Sequence, residues 1–273
     1  MDSVVDRDVL AFAVELADRA GRLAMDRFYA ADFRVTLKSD GTEVTEADHA
    51  VETLIRHEIR HHFPNDEVYG EEAGTTTGTS GRRWVVDPIN GTFYFAHRIP
   101  IFTVVIAVED EHGPAVGVRN EPVARQMIYA GRGRGCRVRT GDIEVAPVLR
   151  TVPTLAQARV EMVNPHVWRT DVLTTLHRNV RACGYSGGVA GLLTGVIDAV
   201  MIAGTEMGYE DLAALPVIVE EAGGRVTDLT GGPLLEGCGT ALLSTGAVHD
   251  DLIDLIRPVL AVDNAHARVR DRV

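Results

Sequence analysis

The residues from Trp84 to Phe95, Trp-Val-Val-Asp-Pro-Ile-Asn-Gly-Thr-Phe-Tyr-Phe, constrain this chain more than any other stretch. A short apolar run ends on a carboxylate, Asp87. Pro88 then fixes the backbone dihedral, Asn90-Gly91 makes a tight turn, and the Thr92 hydroxyl follows at once. The run reads as a buried strand that delivers Asp87, the Ile89 carbonyl, the Asn90 side chain and Thr92 to one small volume. Oxygen donors on an abrupt turn suit a hard cation such as Mg²⁺. A turn that merely reverses the chain accounts for the same residues, and the stretch alone leaves both readings open.

Composition narrows the partners. At 273 residues the chain has ample material for a core, as one large domain or two closely packed halves. A net charge of −12 argues against nucleic acid, yet admits a small phosphorylated substrate, because a bound divalent ion reverses the local sign. Cys136, Cys183 and Cys238 form no zinc pattern and suggest a reducing, cytoplasmic setting. The first residues have neither a basic segment nor an apolar run, so no signal peptide is expected, and no run is long enough for a membrane span. Of the 27 Lys and Arg residues a single one, Lys38, is Lys.

Helical spacing of Val9, Ala13, Leu16, Ala20, Ala24 and Phe28 predicts an amphipathic helix over residues 6–29. A strand at 33–37 and a polar turn at Lys38 precede a second helix with the apolar stripe Val51, Ile55 and Ile59. Thr45 and Asp48 have the spacing of a capping box, so Asp48 is either a helix cap or a functional carboxylate. His57-Glu58-Ile59-Arg60-His61 matches the H-E-x-x-H zinc signature. The helix ends almost at once at Pro64 and both histidines lie off the apolar stripe, so a solvated helix end is the expected reading. Gly74 to Gly81 reads as a polar loop, either a connector or a lid. Strands are expected at 101–108, 115–119, 126–130 and 159–163, with helices at 171–178, from Gly184 through Ile197, and from Asp211 to Glu221.

Gly70-Glu71-Glu72 followed by Trp84-Val-Val-Asp-Pro-Ile-x-Gly-Thr resembles the first signature of the inositol monophosphatase family of metal-dependent phosphatases. Asp211-Leu-Ala-Ala with Glu221-Ala-Gly-Gly is similar to the second signature, and Lys38 with Val44-Thr45-x-x-Asp48 to the family's opening motif. The matches run in order from about residue 10 to about residue 256. The resemblance implies a layered α/β/α/β/α fold. Residues 1–146 would form an α+β half and 147–273 an α/β half, packed as one unit and paired as a homodimer. It also implies a phosphomonoesterase that uses two or three Mg²⁺ ions, with Mn²⁺ able to substitute, to hydrolyse a small phosphorylated metabolite by attack of water.

The resemblance assigns roles residue by residue. Glu71, Asp87, the Ile89 carbonyl, Asn90 and Asp211 would be metal ligands, and Lys38, Asp48, Glu71 and Thr92 catalytic residues. Asn90, Gly91, Thr92, Gly184, Tyr185, Ser186, Glu206 and Asp211 would meet the substrate, Glu206 being the nearest candidate for recognising the leaving group.

The departures are as informative. Asn90 stands where the family has Asp, which removes a charge from one metal site and predicts weaker binding there. Glu210 replaces the family Trp, and Phe93-Tyr94 replaces smaller or polar residues. Gly184-Tyr185 is closer to the histidinol-phosphate phosphatases than to the inositol enzymes. A non-catalytic binder of phosphate esters is the alternative that Asn90 raises.

Overall fold

The computed structural model describes residues 4–30, 33–39, 41–184, 187–203, 207–237 and 239–260. Contacts group the chain into two units, Met1–Ala146 with Ala213–Glu221 and Pro147–Leu212 with Ala222–Val273.

In the first unit the predicted helical stripe forms α1 (Arg7–Ala30), with Val9, Ala13, Leu16, Ala20, Ala24 and Phe28 buried. A short hairpin, β1 (Val35–Leu37) and β2 (Glu43–Thr45), leads into α2 (Glu46–His62), whose Val51, Ile55 and Ile59 join the same core. Eight strands then build one sheet: β3 (Glu67–Gly70), β4 (Gly74–Thr76), β5 (Arg83–Asn90), β6 (Thr103–Asp110), β7 (Gly113–Glu121), β8 (Gln126–Gly131), β9 (Gly135–Thr140) and β10 (Ile143–Val145). Their order is β10-β9-β8-β7-β6-β5-β3-β4, with β3 and β5 parallel. A five-residue helix, α3 (Thr92–Ala96), follows β5 directly. Trp84 to Ile89 is buried without alternation, as expected of a strand covered on both faces.

The expected loop at 74–81 is not free. Residues 74–76 pair with β3 as β4, and the Thr79 and Ser80 amides donate to the Asn65 carbonyl at 2.7 and 3.0 Å. Asp66 accepts from Ser80, from Arg82 and from the Trp84 indole. A Cβ at Gly78 would lie 2.2 Å from the Glu67 nitrogen, so the segment packs too closely to act as a lid.

The second unit is built on β11 (Arg159–Val163), α4 (Thr170–Asn179), β12 (Arg181–Cys183), α5 (Gly188–Leu193), β13 (Ala199–Ile202) and α6 (Tyr209–Leu212). After α7 (Leu215–Glu221) come β14 (Arg225–Thr227), β15 (Ala241–Ser244) and α8 (His249–Leu260). The sheet order is β12-β11-β13-β15-β14, with β15 antiparallel to both neighbours. Val160, Leu176, Met201, Leu242 and Leu252 form its core.

Three expectations are corrected. The helix predicted from Gly184 to Ile197 spans only Gly188–Leu193, because Gly195 takes a left-handed turn (φ +73°). The helix predicted over 211–221 is broken between Leu212 and Leu215, since Pro216 has no N–H to give the Leu212 carbonyl. The division at residue 146 is also incomplete, because Ala213–Glu221 packs with the first unit. Gly117 in β7 permits that approach: a Cβ there would lie 2.4 Å from the Ala214 carbonyl oxygen. Glu221 then accepts the Gly133 and Gly135 amides at 2.6 and 2.7 Å.

His249 opens α8 fully buried, between Thr227 Oγ1 (2.9 Å from Nε2) and Ser244 Oγ (2.8 Å from Nδ1). Burial, helped by the Arg225 charge, pulls its pKa from 6.5 down to about 4. The folded chain refuses a proton that the unfolded chain takes at pH 6.5. Stability is therefore full above pH 6.5 and falls as the pH drops towards 4. The expected loss is about 3 kcal/mol, by the linkage of roughly 1.4 kcal/mol per pKa unit. Urea unfolding at stepped pH checks it: the His249→Gln variant should show a shallower decline over this window than the parent.

Candidate active site

Two parallel strands bring the site residues together. Gly70 at the end of β3 lies opposite Val86 in β5, and the Glu71 amide donates to the Val86 carbonyl at 3.1 Å. Glu71 and Asp87 therefore emerge at the same end of adjacent strands. Pairing of β5 with β6 slips between Asp87 and Asn90: Asp87 faces Val105 and Asn90 faces Thr103, so two residues oppose one. Pro88, which cannot donate to a ladder, sits in that bulge. The bulge turns the chain end, and Asp87 Oδ1 accepts the Ile89 amide at 3.1 Å. Gly91 follows with φ +94°, where any Cβ would also lie 3.2 Å from the Ile101 carbonyl oxygen.

Thr92 meets Asp48 at this turn. Its hydroxyl lies 3.1 Å from Asp48 Oδ1 and 3.0 Å from the Ile89 carbonyl oxygen. Asp48, fully buried, gives its other oxygen, Oδ2, to the Thr45 amide (2.8 Å) and the Thr45 hydroxyl (2.5 Å). The capping box is formed, and the same carboxylate also serves the turn. Both readings of Asp48 hold at once, one for each oxygen. Burial pushes its carboxyl above the usual range, the bonds from Thr45 and Thr92 oppose that, and the Glu71 charge adds to it.

Lys38, the single lysine, lies in the turn after β1. Its ammonium is 2.7 Å from Glu71 Oε1 and 2.9 Å from Glu72 Oε1. Burial works against this ammonium, yet the two carboxylates hold it well above its ordinary value. Burial also pushes the Glu72 carboxyl up to about 7; Lys38 opposes the rise, while Glu71 and Asp48 reinforce it. Glu71 and Glu72 thus crowd negative charge around one cation, supplied here by Lys38, and the buried Asp48 adds to the negative charge near them. Among the described residues no three His, Cys, Asp or Glu side chains are already gathered as a metal-binding group. The donor chemistry still fits a hard ion: carboxylates of Glu71 and Asp87, the Ile89 carbonyl and the Asn90 side chain, all oxygen-bearing.

Of the other expected site residues, Gly184 directly follows β12 and Asp211 lies in α6, where its Oδ2 accepts the Gly208 amide at 2.5 Å. Both belong to the second unit. Tyr185, Ser186 and Glu206 lie outside the described residues. His57 and His61 are exposed at the end of α2, as the solvated reading expects.

A family model, the inositol monophosphatase family, matches residues 6–260. The chain belongs to the inositol monophosphatase family. It is 35% identical over 257 residues to a histidinol-phosphatase of Mycobacterium tuberculosis, covering 91% of this chain and 98% of that one. It is 34% identical over 249 residues to human inositol monophosphatase 2, covering 85% of each. The crystal structure of the extragenic suppressor protein SuhB from Bartonella henselae superposes with a TM-score of 0.80 at 25% identity, covering 91% of this chain and 98% of that one. The fold is therefore the α/β fold of the inositol monophosphatases, and this family member is a phosphatase.

One residue near the site escaped the sequence reading. Glu52, one turn beyond Asp48 in α2, is buried and accepts the Glu72 amide (2.8 Å), the Ala73 amide (3.0 Å) and the Arg56 Nε (2.6 Å). A signal existed: residues 48, 52, 55 and 59 share one helix face, so two acids lie on the apolar stripe.

Proposed function

We propose that this phosphatase is a Mg²⁺-dependent phosphomonoesterase acting on a small phosphorylated alcohol, with Mn²⁺ able to substitute. One observation carries the reading: Glu71 and Glu72 meet at Lys38, at 2.7 and 2.9 Å, and Asp48 meets Thr92 on the Asp87–Thr92 turn. Glu71, Asp87, the Ile89 carbonyl and Asn90 would hold the ions in the first unit, and the resemblance assigns Asp211 as a further ligand. A bound divalent ion supplies positive charge for the phosphate and lowers the pKa of a nearby water. Lys38 must then release Glu71.

The chain's own groups do the rest. Thr92 and Glu71 position the attacking water, and Asp48 takes the Thr92 hydroxyl proton as Thr92 accepts one from that water. The Gly91 and Thr92 amides bind the phosphate oxygens, so no protein nucleophile is needed. The resemblance adds a homodimer, and the cysteine usage a cytoplasmic setting. The two described cysteines, Cys136 and Cys183, are free, in keeping with a reducing compartment, and no described helix is long and apolar enough to cross a membrane.

Within the class we propose histidinol phosphate as the first substrate to try. The Mycobacterium tuberculosis relative carries that activity in its name, and Gly184-Tyr185 leans the same way. Asn90 favours a second reading, a binder that has lost turnover. Phosphate release from histidinol phosphate, inositol phosphate, sugar phosphates and nucleotides, with Mg²⁺ and then with chelator, separates them. The expected result is Mg²⁺-dependent release, strongest from one amino-alcohol or cyclitol ester; binding without release in any condition contradicts it. Because charge count sets affinity at oxygen sites, Asn90→Asp should tighten the weaker ion by about tenfold and raise turnover at low Mg²⁺. Unchanged Mg²⁺ dependence in that variant would remove Asn90 from the metal site.

A further inference from the structure

We propose that Glu52 is a positioning residue that fixes Glu71, and with it the metal site, through the backbone of the β3–β4 turn. This rests on the phosphatase reading above. Its carboxylate takes three donors on two oxygens: the Glu72 amide on Oε2, and the Ala73 amide and Arg56 Nε on Oε1. Glu71 itself is tied by its amide to the Val86 carbonyl, so the residues on either side of its peptide are both pinned. Arg56 of α2 completes the clamp on the other strand, β4, donating to Thr76 Oγ1 at 3.0 Å and to the Gly74 carbonyl. The turn is therefore held by side chains of α2 as well as by its own ladder.

The same helix carries Asp48 one turn earlier, at the Thr92 hydroxyl. One rigid element thus sets the spacing between the group that orients water and the turn that presents Glu71. Gly70 shows how close the fit is. A Cβ there would lie 2.3 Å from Glu52 Oε1 and 2.7 Å from the Arg56 guanidinium, so only glycine leaves the carboxylate in place. Groups that orient ligands from behind typically change metal affinity or activity by roughly 10- to 100-fold when lost.

Glu52→Gln tests this, since an amide must turn its NH₂ towards one of the three donors. Gly70→Ala is the second, independent variant: it keeps Glu52 but pushes its carboxylate off the turn. Glu58→Gln, on the same helix as Glu52, weakens the ion pair to Arg19 of α1 and controls for stability alone. Mn²⁺ affinity is read by calorimetry, thermal midpoint without metal, and kcat and KM on p-nitrophenyl phosphate at saturating Mn²⁺. Both site variants should bind Mn²⁺ about 10- to 100-fold more weakly and lose kcat with little change in KM, while Glu58→Gln shifts only the midpoint. Wild-type Mn²⁺ affinity in Gly70→Ala, or in a folded Glu52→Gln, overturns the proposal and leaves Glu52 a structural residue. A wild type that neither binds Mn²⁺ nor releases phosphate would instead overturn the function reading itself.

Discussion

Asp87→Asn is expected to lower phosphate-ester turnover by about 1000-fold, or about 4 kcal/mol of barrier, while the protein stays folded. The substitution is conservative in every respect but charge. Asp87 is buried in the bulge of β5, and its Oδ1 accepts the Ile89 amide. The side-chain carbonyl oxygen of the introduced asparagine can keep that bond, so the turn through Asn90 and Thr92 has no reason to unravel. What disappears is a full negative charge at a place where the proposed reading requires one. Steady-state kinetics over a wide Mg²⁺ range, beside a circular-dichroism melt, check it. Activity within tenfold of wild type would show that Asp87 merely shapes the strand end.

Thr92→Val is expected to cut kcat by about 100- to 1000-fold with little change in KM, the range for loss of a positioned proton-transfer group. Valine matches the shape of threonine, so packing of α3 is preserved and only the hydroxyl is lost. That hydroxyl has one hydrogen and two acceptors within 3.1 Å, Asp48 Oδ1 and the Ile89 carbonyl. Asp48 Oδ2 remains engaged by Thr45, so the helix cap survives the change. If Asp48 were only a cap, Thr92→Val would leave kcat near the parent value. Asp48→Asn should fall in the same range, and the double variant should lose little beyond either single one, because the pair acts as a unit.

The turn that carries the candidate site was more legible in the sequence than the elements around it. Asp87, Pro88, Asn90, Gly91 and Thr92 are contiguous, and each has a backbone or chemical reason to be where it is. Glu71 was attached to them by the resemblance alone; in the structure β3, parallel to β5, ends one residue short of it. Glu52 was missed because its role lies in accepting backbone amides from a turn twenty residues on, which no local pattern displays. The helix expected from Gly184 failed for a different reason: its apolar residues continue past Leu193, but Gly195 turns left-handed and ends it. The segment at 74–81 looked mobile by composition, yet Asn65, Asp66 and the close contact at Gly78 tie it down through residues distant in sequence. Asp211 is the clearest case of inference by resemblance: only the family resemblance would place it at the metal, and within its own unit its carboxylate accepts the Gly208 amide.

Electron paramagnetic resonance of Mn²⁺ added to the intact protein tests the central claim most directly. Bound Mn²⁺ that Mg²⁺ displaces, weakened at least tenfold in both Glu71→Gln and Asp87→Asn, is the predicted result. Free Mn²⁺ alone at millimolar concentration, or undiminished binding in both variants, would contradict it.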